Sequence, residues 1–248
     1  MAVVALTHPE EGNRVSPGLA AELREVCQET RENEGIYVLV LTGSEGVFSV
    51  GREPLPPELA GASAPDRQSW LEQLRVADAL ASLPIPVVVA INGDAMDHGL
   101  ELALAGDLRI ATEGARFGLT DLTRTNSFPW DGGTQRLPRL VGPAWANDLI
   151  LTSRIIDAKQ ARSIGLVNQV VEAGKLLEET RQLTDAIASG GSLAARYAKE
   201  AIIKGMDLSL SQGLRLEADL NIILQSTADR AEGLRSFAEK RTPRFTGR

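Results

Sequence analysis

The amino-acid sequence predicts an α/β fold with a helical C-terminal region. Over the first two thirds of the chain, short apolar stretches typical of strands alternate with segments of helical periodicity. From Leu176 onward nearly every segment has helical periodicity. At the centre, residues 85–107 contain a valine-rich run that ends at Asn92-Gly93 and continues into a small helix. A run of this kind is typical of a strand that is buried on both faces.

The individual elements follow from local patterns taken in order. Apolar runs bounded by turn-forming residues predict strands at 3–7, 36–43, 47–53, 85–91, 108–112, 115–119 and 166–171. Ser16 followed by Pro17 predicts the start of the first helix, which runs to Glu32. A long helix capped by Asp66 is expected to reach residue 81, and residues 54–65 before it form a mobile loop. Further helices are predicted at 100–104, from 132, from 143, and at 158–164, 176–188, 193–205, 208–226 and 228–240.

Composition excludes several classes of function. The net charge of −7 argues against a broad nucleic-acid surface, which needs clustered cations, although it leaves room for a small anionic ligand. The single cysteine, Cys27, rules out an internal disulfide, and two histidines are too few for a multi-histidine metal site. We expect no metal and no membrane association. The N-terminus does not resemble a signal peptide, so a cytoplasmic location is expected.

The junction after Gly93 has the chemistry of an anion site. The first turn of a helix leaves backbone N–H groups without partners, and the helix dipole favours negative charge there. Glu101 lies in or near that turn, within reach of a bound ligand.

Short motifs spread over almost the whole chain share an order and spacing that is specific as a set. They are Val40-Leu41-Thr42-Gly43, Phe48-Ser49-Val50-Gly51, Val88-Val89-Ala90-Ile91-Asn92-Gly93, Gly99-Leu100-Glu101-Leu102-Ala103 with Gly106-Asp107, Ala115-Arg116-Phe117-Gly118, Gly132-Gly133-Thr134-Gln135-Arg136-Leu137, Ala158-Lys159-Gln160-Ala161 with Gly165-Leu166-Val167, and Phe237-Ala238-Glu239-Lys240-Arg241. In these residues the chain resembles the crotonase (enoyl-CoA hydratase/isomerase) superfamily.

The resemblance implies a crotonase-like spiral of ββα units over residues 1–190, which builds an acyl-CoA site. It also implies a C-terminal helical region over 191–248 that drives trimerisation, with hexamers of two trimers common in such proteins. The expected partner is an acyl-CoA substrate, and no cofactor is needed beyond the coenzyme A that the substrate carries.

Two backbone N–H groups are expected to bind the thioester oxygen and stabilise an enolate-like anion. The resemblance assigns them to Arg52 and His98. Loss of one such donor typically costs about 2.7 to 4 kcal/mol of transition-state stabilisation.

Glu101 and Asp121 match the two catalytic glutamates of the hydratases. A carboxylate over the reacting carbons can orient water or move a proton, whereas the alternative for Glu101 is a first-turn carboxylate that only complements the helix dipole. Asp121 is one methylene shorter than the usual residue, and its alternative is a capping role in the loop. Asp131 competes with it, since some members of the superfamily place a working carboxylate in this loop.

The sequence departs from the usual pattern at His98, where hydratases carry a glycine run, and at Arg52, where they carry a small residue. The His98 imidazole either touches substrate or bonds to its neighbours. The Arg52 guanidinium is expected to point to solvent, with the steering of an acidic acyl group as the alternative. For coenzyme A, the resemblance suggests the carbonyl of Val50, and Phe237 and Lys240 from a neighbouring subunit.

The function expected from these residues is hydration of a 2-enoyl-CoA. The alternatives are an enoyl-CoA isomerase or an acyl-CoA hydrolase of the same superfamily, and a CoA-binding scaffold without catalysis.

Overall fold

The structure is a computed structural model that describes all residues from 1 to 248. Its strands are β1 (Ala2–Leu6), β2 (Leu39–Gly43), β3 (Val87–Ile91), β4 (Ala95–Met96), β5 (Leu108–Thr112), β6 (Arg116–Gly118), β7 (Ile156–Asp157) and β8 (Gln169–Val171). The central sheet is parallel throughout, in the order β1, β2, β3, β5, β8. In a smaller sheet β4 pairs parallel with β6, and β6 pairs antiparallel with β7.

The helices alternate with strands as far as β8 and then continue alone. They are α1 (Pro17–Glu32), α2 (Ala64–Leu74), α3 (Ala77–Ala81), α4 (His98–Leu104), α5 (Asp121–Thr125), α6 (Gly133–Thr152), α7 (Ala158–Ser163), α8 (Leu176–Ser189), α9 (Ser192–Gly205), α10 (Leu210–Gln225) and α11 (Ala228–Ala238). Short 3-10 turns occur at Pro9–Glu11, Pro57–Leu59 and Ala173–Lys175. None of these helices combines the length and the apolar composition that crossing a membrane requires.

The central sheet is buried on both faces because successive strand residues point to opposite sides. Leu39, Leu41 and Val89 belong to the main core, on the face covered by most of the other elements. Val40 and Val88 face the other way, into a smaller cluster that includes Leu176 of α8. The valine-rich stretch therefore satisfies two cores at once, as a parallel strand does.

The α/β class with a helical C-terminal region is confirmed, whereas the predicted strand at 47–53 is wrong. This segment makes only isolated bridges, between Ser49 and Ala95 and between Val15 and Arg52. Gly51 has a φ of +122°, which extended strands do not adopt.

The helix predicted over 66–81 is divided in two. Its apolar periodicity is continuous, but the chain turns at Arg75, where ψ is 120°. The N–H groups of Val76 and Ala77 are thereby turned towards Asp131, whose Oδ2 accepts both at 2.9 Å. A distant side chain thus determines where the helix breaks. The two helices predicted from 132 and from 143 are confirmed: the backbone of α6 leaves helical geometry at Gly142 (φ 80°, ψ 157°), and Pro143 begins its second helical segment.

The C-terminal helices carry apolar side chains that this chain alone does not cover. Helices α9 and α10 pack against each other, and Lys199 of α9 is tied to the core by Asp107 Oδ2 at 2.7 Å and the Ile85 carbonyl at 2.9 Å. The exposed apolar residues of these two helices and their junction are Ile202, Ile203, Met206, Leu208, Leu210, Leu214, Ile222 and Ile223.

Candidate active site

The site forms where β3 ends and α4 begins. Close packing there depends on glycine: a Cβ on Gly93 would lie 2.1 Å from the Gly46 carbonyl oxygen, and one on Gly99 would lie 2.2 Å from that of Ser49. The segment that starts at Ser49 therefore lies directly against the start of α4.

The two proposed oxyanion amides lie at matching places in these neighbouring segments. Ser49 and Ala95 form a parallel bridge, and Arg52 and His98 each follow that bridge by three residues. Neither the Arg52 N–H nor the His98 N–H donates to an acceptor within the chain. Both are thus available to a ligand, as the helix-start prediction requires.

Glu101 is buried in the first turn of α4, with 2% of its surface exposed. Its Oε1 accepts the N–H groups of Asp131 and Gly133, both at 2.8 Å, while Oε2 accepts no hydrogen bond and is not sealed from solvent. Burial raises the pKa of Glu101 above its usual value, against the lowering effects of His98 and the Gly133 N–H. The bonds to Oε1 therefore fix the position of the carboxylate, and Oε2 remains free to accept a proton or bind water.

Asp131 is a buried structural partner. Its side chain is fully buried, and Oδ2 accepts from Val76 N, Ala77 N and, at 3.0 Å, from His98 Nε2. Burial alone would raise the pKa of Asp131, but the hydrogen bonds from His98, Ala77 and Val76 outweigh burial and hold that pKa below its usual value. The carboxylate is therefore ionised, with Oδ2 committed to donors of the protein; Oδ1 is buried without a hydrogen bond, and Arg75 Nε lies 3.6 Å from it.

The imidazole of His98 takes the second of its two expected roles, bonding to a neighbour. Because Asp131 is an ionised acceptor, Nε2 carries the proton of the bond that joins them. Nδ1 is buried without a partner, and the ring lies 6.1 Å from that of Trp130.

Asp121 and Arg52 lie together at the rim of the site. Asp121 begins the short helix α5, and its Oδ2 lies 3.8 Å from Arg52 Nη2, with the two side chains 20% and 18% exposed. Burial, followed by the charge of Asp97, raises the pKa of Asp121 despite Arg52 and Arg124. The expectation that Arg52 points to solvent is wrong: its guanidinium lies 6.0 Å over the Trp130 ring because that ring and Asp121 attract it inward.

Asp97, which precedes α4, adopts a backbone conformation that normally belongs to glycine. Its φ of 49° and ψ of −121° match the first central position of a type II′ turn. The carboxylate is held by the N–H and hydroxyl of Thr120, with Arg124 3.6 Å away. These contacts offset the strain of the turn.

Two of the three residues suggested for coenzyme A lie together near the end of the chain, where the Lys240 N–H donates to the Phe237 carbonyl at 3.2 Å. Val50 lies beside the oxyanion segment and its carbonyl accepts no hydrogen bond. Phe237, near the end of α11, is 86% exposed, and Lys240 follows it in a left-handed conformation with φ 55°. The structure does not bring Phe237 or Lys240 into the site of their own chain.

A cavity of about 880 Å³ lies at the other end of α4. It opens between α3, α6 and α9, with Ile202, Met206 and Leu140 among its lining residues, and Trp130 separates it from Arg52 and His98. Glu101 and Asp121 do not line it. No three His, Cys, Asp or Glu side chains come together so as to hold a metal ion.

Sequence reasoning missed Trp130 and Gly133. Trp130 contacts both departures from the usual pattern, and Gly133 has no room for a side chain, since a Cβ would lie 3.1 Å from Glu101 Oε1 and 2.6 Å from Pro129 Cβ. The Gly132-Gly133 pair was a usable signal, because paired glycines before a helix often mark close backbone approach.

Comparison with known proteins identifies the family of this chain. The family model for enoyl-CoA hydratase/isomerase matches residues 1–248. YngF of Bacillus subtilis is 40% identical over 248 residues, covering 100% of this chain and 95% of YngF. The (E)-benzylidenesuccinyl-CoA hydratase of Thauera aromatica is 37% identical over 253 residues, with 100% and 96% covered. The crystal structure of an enoyl-CoA hydratase from Bacillus anthracis superposes with a TM-score of 0.93 at 39% identity, covering 99% of this chain and 96% of that one. The expected crotonase fold is confirmed, and the chain belongs to the enoyl-CoA hydratase/isomerase family, within the crotonase superfamily.

Proposed function

We propose that this protein hydrates a 2-enoyl-CoA to a 3-hydroxyacyl-CoA. The observation that carries the proposal is the state of Glu101, which is fixed through Oε1 by two backbone N–H groups and keeps Oε2 free. It shares the first turn of α4 with the unpaired N–H of His98. A carboxylate that only complemented a helix dipole would not need this clamp.

The reaction begins when Glu101 Oε2 takes a proton from water as the water oxygen attacks the β-carbon. The electron pair of the double bond moves to the thioester oxygen, where the N–H groups of Arg52 and His98 stabilise the charge. When that pair returns, the α-carbon takes a proton from an acid of the site, which completes the addition of one water. Glu101 then releases its proton to solvent and the acid takes one up, so that both groups regain their starting states. The raised pKa of Glu101 favours proton acceptance near neutral pH.

Asp121 is our candidate for the acid that protonates the α-carbon. It is the other carboxylate at the rim that retains solvent access, and its raised pKa increases the fraction that carries a proton. Asp131 has a positioning role: its backbone N–H holds Glu101 and its side chain holds His98.

Binding of the coenzyme A moiety involves a second copy of the chain in our proposal. The Val50 carbonyl would meet the adenine, while Phe237 and Lys240 would act on a neighbouring subunit's site, in keeping with their exposure here. The uncovered apolar residues of α9 and α10 support assembly into a trimer.

The test is hydration of a panel of short 2-enoyl-CoA esters, followed by loss of absorbance of the conjugated thioester and by product identification. Glu101→Gln keeps an acceptor for both N–H donors and is expected to lower kcat about 100-fold or more. Glu113→Gln, at an exposed carboxylate just after β5, is the matched control and should leave kcat unchanged.

The products separate the alternatives. A 3-hydroxyacyl-CoA supports hydration, a shifted double bond indicates an isomerase, and free coenzyme A indicates a hydrolase. Tight binding of acyl-CoA with no turnover on any ester would indicate the scaffold.

A further inference from the structure

The guanidinium of Arg52 is largely buried yet makes no hydrogen bond. Its side chain is 18% exposed, and its nearest anion is Asp121 Oδ2 at 3.8 Å, beyond hydrogen-bond distance. A guanidinium presents five N–H donors and always carries its charge. Donors in such a place are normally paired, because leaving them unpaired is costly.

The residues around the Arg52 guanidinium position it but provide no acceptor for its N–H donors. The guanidinium carbon lies over the Trp130 ring, 6.0 Å from its centroid, where the ring attracts the positive charge. The indole N–H of Trp130 is itself buried without an acceptor. The guanidinium nitrogens, in contrast, are not sealed, so a ligand can reach them.

Asp121 cannot serve as the permanent partner of Arg52. In the proposed reaction it must carry a proton before it donates to the α-carbon, and its raised pKa favours that state. Once protonated, Asp121 no longer offers a charge to the guanidinium, which then has no anion within its reach. During the reaction, Arg52 therefore has an anionic partner only if the substrate supplies the negative charge.

We propose that Arg52 binds a second carboxylate on the acyl group, so that the preferred substrates are 2-enoyl thioesters of short dicarboxylic acids. This inference rests on the proposed hydration. The N–H of Arg52 holds the thioester oxygen and its side chain extends from the same residue, which places the carboxylate on the acyl part of the substrate. A planar guanidinium matches a carboxylate through two parallel hydrogen bonds.

The experiment compares esters that differ at one end only. Glutaconyl-CoA and pent-2-enoyl-CoA both have five acyl carbons and end in a carboxylate and a methyl group, respectively. The wild-type ratio of kcat/KM values is expected to favour glutaconyl-CoA, and Arg52→Met should lower that ratio about 10- to 100-fold, the range expected for hydrogen bonds to charged groups. Arg52→Lys keeps the positive charge but cannot make two parallel hydrogen bonds, so its ratio should lie between those of the wild type and Arg52→Met.

Binding of unreactive esters provides a readout that does not need turnover. Titration calorimetry should show glutaryl-CoA binding more tightly than pentanoyl-CoA, with the difference lost in Arg52→Met. Arg154→Met is the matched control, since Arg154 pairs with Asp148 on α6 and touches none of the proposed site residues; it should preserve the preference. Circular dichroism confirms that each variant is folded.

The outcomes distinguish this inference from the proposed function. Hydration of both esters at equal efficiency by the wild type would overturn the carboxylate site and leave the hydratase intact. Preferential glutaryl-CoA binding that depends on Arg52, without hydration of any ester, would support the carboxylate site and remove the hydratase. If Arg52→Met is misfolded, an unchanged preference in folded Arg52→Lys would overturn the bidentate contact.

Discussion

Replacement of Asp131 by asparagine tests whether the Asp131 carboxylate has a structural or a catalytic role. The substitution removes a fully buried charge that accepts from Val76 N, Ala77 N and His98 Nε2. One amide oxygen can still accept from the two backbone donors, but the charge-assisted bond to His98 is lost. Breaking a buried pair typically costs 3–5 kcal/mol, so we expect Asp131→Asn to lose about 3 kcal/mol of unfolding free energy.

Thermal unfolding at fixed protein concentration measures this loss. In a protein of this size 1 kcal/mol lowers Tm by about 2–4 °C, so a decrease of about 6–12 °C is expected. Because the folded-state pKa of Asp131 is depressed, its contribution is present above the ordinary aspartate pKa and is lost as pH falls through the folded value. The gap between wild type and variant should therefore stay constant above about pH 5 and narrow below about pH 4.

Asp121→Asn is the matched comparison, because that carboxylate lies in the same site but retains solvent access. It should lower kcat strongly with little effect on Tm. The reasoning fails if Asp131→Asn melts within about 2 °C of wild type while kcat collapses, since the buried carboxylate would then act on substrate.

Two further predictions concern Glu101 and a glycine of α4. Glu101→Gln should raise Tm at pH 7–8. Burial raises the pKa of Glu101, so ionising this side chain destabilises the native wild type as pH rises through the folded-state pKa, and glutamine avoids that loss. The gain in Tm should vanish below about pH 4, and melts that show no gain at pH 7–8 would contradict the prediction. Gly99→Ala would place a Cβ 2.2 Å from the Ser49 carbonyl oxygen, so we expect about 1–3 kcal/mol of destabilisation with reduced activity. Gly114→Ala, which has open space, should unfold as wild type does.

Much of the fold could be predicted because its signals are local. The strand at Val87–Ile91 is apolar at every position and buried at every position. The start of α1 follows from Ser16, whose hydroxyl accepts the Leu19 N–H at 3.1 Å. The strand prediction for 47–53 is wrong because several of its residues favour strands, whereas the backbone turns at Gly51 beside the start of α4.

The finer geometry of the site depends on contacts that no local pattern encodes. The break between α2 and α3 depends on Asp131, which is 55 residues from Val76 in sequence. The motif locates Glu101, but its clamp comes from residues 30 and 32 positions further on. The inward position of Arg52 depends on Trp130, which belongs to an irregular loop without periodicity.

The unusual residues of this site have partners in one another, which argues against a decayed scaffold. Asp97 adopts a glycine-like conformation and is held by the Thr120 loop. The imidazole of His98 fills the space beside it and bonds to Asp131, whose own N–H clamps Glu101. A buried charge that loses its partner typically costs 3–5 kcal/mol, which lowers the folding equilibrium constant by about 100-fold to several thousandfold. Arg52 makes no hydrogen bond within the chain and its guanidinium retains solvent access, which is the state expected of a cation that pairs with a bound substrate.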